Sequence, residues 1–200
     1  MKKLFIFILF LLAATSHAQN FGGIVTSVGA RAGAGLGLFS GESFDDNLID
    51  NDIIGIGPAF GGDIFFNFRF NNSVAFTPQL SVAHLRYSYS ASTTTDSIVD
   101  VSRHATILGL DFLLKYFGDY TGGILYSGAG IGLGYIIHEH GGWALNLIAE
   151  FGADVPLIDG MFTIGLRSSW SLHLSGHNDT FALSIFSDAI SLRIGYAINL

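Results

Sequence analysis

Nine charged residues recur at alternate positions inside apolar or glycine-rich stretches: Arg31, Asp63, Arg69, Asp111, Lys115, Glu150, Asp154, Arg167 and Arg193. Five are basic and four acidic. Such a near-balanced set suits a paired network in a confined space, because an unpaired buried charge is costly. A second group could do hydrolytic chemistry. His173 and Ser175 lie two apart and Asp188 follows 13 residues later; a Ser-His-acid set would suit ester hydrolysis. A third could hold a divalent cation. His138-Glu139-His140 sets His138 and His140 two residues apart, and Asp45, Asp46, Asp50 and Asp52 cluster four carboxylates. The plainer expectation for this third group is a solvated acidic rim with incidental histidines, holding no metal and no other cofactor.

The composition limits what can position these groups. The chain has 200 residues, of which 50% are hydrophobic and only 12% charged. Its 26 glycines and 3 prolines are the outliers, since glycine averages roughly 7% of a protein. With 18 Phe the chain is too apolar for disorder. With no cysteine it has neither disulfides nor a thiolate metal site. A net charge of −7 leaves no basic footprint for nucleic acid. Residues 1–18 read as a secretory signal peptide: Lys2 and Lys3, an apolar run from Leu4 to Ala14, then Ser16-His17-Ala18 before the cut. Cleavage there removes both lysines and leaves residues 19–200 as one domain of net charge −9.

The apolar residues of that domain recur with period two. From Ile54 to Phe70 the even positions are mostly Ile and Phe, while the odd ones are Gly, Ala, Asp63, Phe65, Asn67 and Arg69. The pattern repeats over 28–39, 74–89, 106–116, 125–137, 145–157, 162–174 and 190–200. Over 74–89 the phase shifts near His84 to Leu85, Tyr87 and Tyr89, which predicts a bulge. Eight strands result, each as long as a tilted membrane-crossing strand or longer. Short turns at 71–73, 118–122 and 158–160 alternate with longer loops at 40–52, 90–102 and 175–187, the connection at 138–143 being shorter. Aromatic residues gather near strand ends, with Tyr87, Tyr89, Tyr135, Trp143 and Trp170 at one rim. This is the pattern of an all-β, eight-stranded antiparallel up-and-down transmembrane β-barrel with both termini in the periplasm.

The whole mature chain resembles the small eight-stranded outer-membrane barrels of the OmpA-transmembrane-domain and OmpX type. The last strand carries the most specific resemblance. Arg193, Gly195, Ile198 and Leu200 fall where that superfamily has polar, glycine, hydrophobic and terminal hydrophobic residues, although the terminal residue is usually Phe. The resemblance implies recognition by the barrel-assembly machinery, residence in the outer membrane of a Gram-negative-type cell, and contact with outer-membrane lipids and lipopolysaccharide. A monomer is expected. The superfamily includes lipid-A deacylases with a His-x-Ser spacing like that of His173 and Ser175. Their Asn-Ala-Gly after the serine is absent here, where Gly176-His177-Asn178 follows.

Strand parity sorts the charges. The nine alternating residues face the lumen, with a sum of +1. Loops and strand tops on the outer side carry ten acidic residues against Arg86 and Arg103, and the periplasmic turns carry Asp119 and Asp159. His173 also falls on the lumen side, away from any lipid ester. The expected function is therefore structural or surface-interacting and not enzymatic, with the acidic outer loops as the place for an extracellular ligand. A lipid-A-modifying hydrolase and a narrow transport or ligand-binding barrel are the alternatives.

Overall fold

The computed structural model describes residues 26–41, 53–92, 98–137, 142–177 and 180–200. The stretch 1–18 expected to be a signal peptide, the Asp45 to Asp52 carboxylates, and His138 and His140 lie outside these residues. Eight strands follow one another: β1 Thr26–Gly41, β2 Ile53–Arg69, β3 Val74–Ser92, β4 Ile98–Tyr120, β5 Gly123–Ile137, β6 Trp143–Leu157, β7 Gly160–His177 and β8 Thr180–Asn199. Each pairs antiparallel with the next, and β8 closes on β1. Closure leaves no strand edge, so the backbone polar groups are satisfied within the sheet, as a bilayer requires.

The register sets the shape. One ladder row leaves β1 at Ala30 and passes through Ile64, Leu80, Leu110, Leu133, Leu145, Leu172 and Ile185. It returns to β1 at Ser40, ten residues further up the strand. With eight strands that stagger tilts them by about 40°. The short connections are built for tight turns. The Asn71 side chain accepts the amides of Ser73 and Val74 at 2.8 Å each, and Gly122 takes φ 103°, which a residue with a side chain rarely adopts. Pro58 and Pro78 both face the β2–β3 seam, where each removes a backbone donor.

Side chains alternate as the period predicts. Phe60, Ile64, Leu114, Ile131, Leu133, Phe151 and Ile194 point outward and are exposed, whereas their neighbours point into the lumen and are buried. A continuous apolar exterior around a charged interior is the reverse of a water-soluble barrel.

The upper part of β3 departs from the sequence-based expectation. The β3–β4 register runs unbroken from Val74↔Tyr116 to Ser92↔Ile98, so there is no bulge near His84. Leu85 and Tyr87 are instead buried in the lumen, and Tyr89 packs against them there. The rim positions on β3 thus belong to His84, Arg86 and Ser88, which are exposed. The register irregularities lie on β8, opposite Leu36/Gly37 and Arg167/Ser169. The expected long loop at 175–187 is largely strand, with β7 and β8 paired as far as His177↔Thr180. Long strands of this kind project past the bilayer.

The exposed apolar band generates one prediction. Ile131→Arg places a charge in the lipid-facing wall and should destabilise the barrel by about 2–4 kcal/mol, whereas Ser88→Arg, above the band, should be near neutral. Urea unfolding in lipid vesicles measures both.

Candidate functional site: a charge-paired lumen

Inward parity brings side chains from all eight strands into one belt across the lumen, β5 contributing the Tyr126 hydroxyl, which accepts Arg31 Nη1 at 3.3 Å. Glu150 on β6 is its hub. Its Oε1 accepts Arg31 Nη2 at 2.9 Å, Arg167 Nη1 at 3.0 Å and Gln79 Nε2 at 3.3 Å. Its Oε2 accepts Arg31 Nη1 and Lys115 Nζ, both at 3.0 Å. Arg31 also donates through Nε to Asp63 Oδ1 at 2.9 Å, and Arg193 approaches the other Asp63 oxygen at 3.9 Å. Arg167 reaches Asp111 Oδ2 through Nη2 at 2.7 Å and donates to Gln79 Oε1. Asp111 is further held by Ser81 Oγ at 2.7 Å and by Asn146 Nδ2 at 3.0 Å, and Asn146 accepts from Ser171 at 2.8 Å. The ion-paired side chains are at most 4% exposed.

Aromatic rings flank the belt. Arg31 lies 4.8 Å from the Phe65 ring centroid, and Lys115 lies 5.3 Å from Phe65 and 4.7 Å from Tyr126. Asp154 is buried further toward the periplasm, and Arg69 covers the Phe117 ring at 4.4 Å. The nine charges expected in the lumen are all there, eight of them buried and Arg69 partly so.

Gln79, Asn146, Tyr126, Ser81 and Ser171 were not singled out from the sequence, although the belt depends on them. Asn146 and Ser171 share the strand parity of Glu150 and Arg167, and Gln79, Ser81 and Tyr126 lie opposite the apolar face of their strands; that signal could have identified them.

Glycine makes the room. A Cβ at Gly152 would stand 2.6 Å from the Tyr126 hydroxyl, one at Gly165 2.5 Å from it, and one at Gly128 2.9 Å from Lys115 Cγ. A Cβ at Gly33 would meet Arg193 Cδ at 2.5 Å. The wall is bare where long side chains from neighbouring strands lie against it.

Above the belt sits an apolar cap of Phe39, Ala59, Leu85, Tyr87, Ala105, Ile107, Ile136 and Ala144. The Phe39 and Tyr87 rings stack at 4.7 Å. Below it, Phe65, Met161 and Ala197 form one apolar cluster and Ala75, Phe117 and Tyr126 another. Cap, belt and lower clusters place buried side chains at three levels along the axis.

The hydrolytic set is placed as follows. His173 is buried inside the wall, 4% exposed, opposite Ala144 and Ser184. Ser175 is opposite Ala182 and Asp188 opposite Ser169. Asp188 thus stands four residues along β7 from His173, about 13 Å of strand, and the register does not bring the two together. Of the terminal signal, Arg193 lies in the lumen, Gly195 pairs with Arg31, and Ile198 and Leu200 are exposed on the outside. Among the described residues no three His, Asp or Glu side chains converge as metal ligands.

The fold is that of the small eight-stranded outer-membrane β-barrels. Neisserial surface protein A superposes over 90% of this chain and 100% of its own, with a TM-score of 0.52 and 16% identity. The outer membrane protein OprG of Pseudomonas aeruginosa covers 90% of this chain and 98% of its own, with a TM-score of 0.53 and 13% identity. No family model and no curated protein matches the sequence.

The hub predicts an asymmetry. Glu150→Ala leaves Arg31, Lys115 and Arg167 facing one another and should cost about 3–5 kcal/mol. Glu150→Gln keeps an acceptor for two of the three and should cost less. Equilibrium unfolding of both variants in vesicles checks the order.

Proposed function

We propose that the chain is an integral outer-membrane barrel that works as a closed anchor, has no enzymatic activity, and offers its acidic outer loops to an extracellular ligand. One observation carries this reading: side chains from around the barrel meet in a buried ion-paired belt beneath an apolar cap. Eight strands enclose little more than the side chains themselves, and here those side chains are committed to one another. A hydrolase would need its serine, histidine and acid together; the register separates His173 from Asp188. Secretion by the leader, insertion by the barrel-assembly machinery through the Arg193 to Leu200 strand, and a monomeric state complete the reading.

Three measurements test it. The expressed protein should be recovered in the outer-membrane fraction with heat-modifiable mobility in SDS gels; a soluble periplasmic product overturns the placement. In planar bilayers the refolded protein should carry no steady nanosiemens-scale current, and such a current overturns the closed lumen. Lipid A from cells with and without the protein should show one acylation pattern, and a changed pattern overturns the non-enzymatic assignment.

A further inference from the structure

The outer surface of β3 and β4 changes character at a definite row. Up to Val82 and Leu108 the outward residues are Phe76, Leu80, Phe112 and Leu110. The row through Val82 and Leu108 continues to Tyr135 and Trp143, whose rings meet edge to face at 5.4 Å. Aromatic pairs of this kind mark the depth at which hydrocarbon gives way to headgroups. The next outward rows are His84 with Thr106, Arg86 with His104, and Ser88 with Ser102. Together they surround a recess of about 510 Å³ lined by His84, Arg86, Ser102, Arg103 and His104.

We propose that this recess seats a phosphate of an outer-leaflet lipid headgroup whose acyl chains lie on the apolar wall beneath it. The inference rests on the outer-membrane placement argued above and adds to it a ligand and its residues. The chemistry is that of an anion site. Arg86 presents a planar guanidinium, a fork of N–H donors with no acceptor. Its Nε donates to Ser102 Oγ at 3.4 Å, and among the described residues no carboxylate engages its two terminal nitrogens. The His84 ring is fixed through Nδ1 against Thr106 Oγ1 at 3.0 Å, which leaves its other nitrogen for a ligand. His104 lies 5.9 Å away, ring to ring, on the far side of the gap. Asp100, the acidic group two outward rows above His104, is held by Ser90 at 2.7 Å.

Position selects the occupant. The nine alternating charges are turned inward, Arg103 shares the inward parity of its ladder partner Tyr87, and Arg86 is the basic residue on the outward face among the described ones. It lines this recess, immediately above a lipid-facing wall. A lipid bearing a headgroup phosphate matches both surfaces in one molecule, and basic residues at this depth are a recurrent means of holding lipid phosphates.

The test uses the full chain refolded in detergent, with native mass spectrometry counting bound bis-phosphorylated lipid A. Wild type should retain the lipid, and the triple variant H84S/R86S/H104S should bind it about tenfold more weakly or worse. Arg86→Lys should keep part of the affinity. Lipid A stripped of its phosphates should bind wild type no better than it binds the triple variant. Equal binding by wild type and triple variant, or undiminished binding of the dephosphorylated lipid, overturns the site. Displacement of the lipid by excess inorganic phosphate would show a free-anion site and overturn the lipid assignment. Heat-modifiable mobility of each variant separates loss of the site from loss of the fold. If the protein fractionates to the outer membrane while the triple variant binds normally, the phosphate site alone fails.

Discussion

One carboxylate ties the sheet together. Glu150 on β6 accepts from its ladder partner Arg167 on the adjacent β7 and, past intervening strands, from Arg31 on β1 and Lys115 on β4. The Arg31 and Lys115 contacts tie together strands that no backbone ladder joins to β6. Buried ion pairs of this sort add little net stability compared with an apolar filling, but breaking them is expensive. Their effect here is to make the interior specific. Three cations around one anion are tolerable because Asp63 and Asp111 take a further donor each from Arg31 and Arg167, so that the charges of the belt depend on one another.

That demand explains the composition. A narrow barrel holding five long basic side chains cannot also carry a Cβ at every inward position. The close approaches at Gly33, Gly128, Gly152 and Gly165 show where the wall has been thinned. Glycine weakens a strand in isolation; here the loss is offset because the space is occupied by long side chains of neighbouring strands.

Much of this was legible in the sequence, because a period of two between lipid and lumen assigns each residue a side. The eight strands, the inward direction of the nine charges and the lumen position of His173 follow from parity alone. The upper half of β3 was misread for a physical reason. Leu85, Tyr87 and Tyr89 are apolar, and in a membrane strand an apolar residue defaults to lipid, so a change of phase looked necessary. The register is in fact continuous, and what changes is the solvent. Above Val82 the strand leaves the hydrocarbon, water lies outside, and the apolar side is the inside. The length of β7 and β8 escaped for the same reason, since strand beyond the bilayer carries no lipid-facing signal. The network's neutral members, Gln79, Asn146 and Tyr126, were passed over because attention to charge alone does not weigh an amide or a phenol.

The inversion along β3 reaches beyond this one strand. A single uninterrupted ladder is read by two opposite rules, one below Val82 and one above it. Below, even-numbered side chains are confined to hydrocarbon and odd ones must be small or polar; above, the even ones are free to be hydrophilic and the odd ones must pack. A given substitution, serine to leucine for instance, therefore changes sign with height on the same face of the same strand. Sequence drift in such a protein should be governed by distance from the bilayer centre as much as by residue type. The upper barrel is in this sense a soluble β-sheet core grafted without a seam onto a membrane one, and each part can vary by the rules of its own solvent.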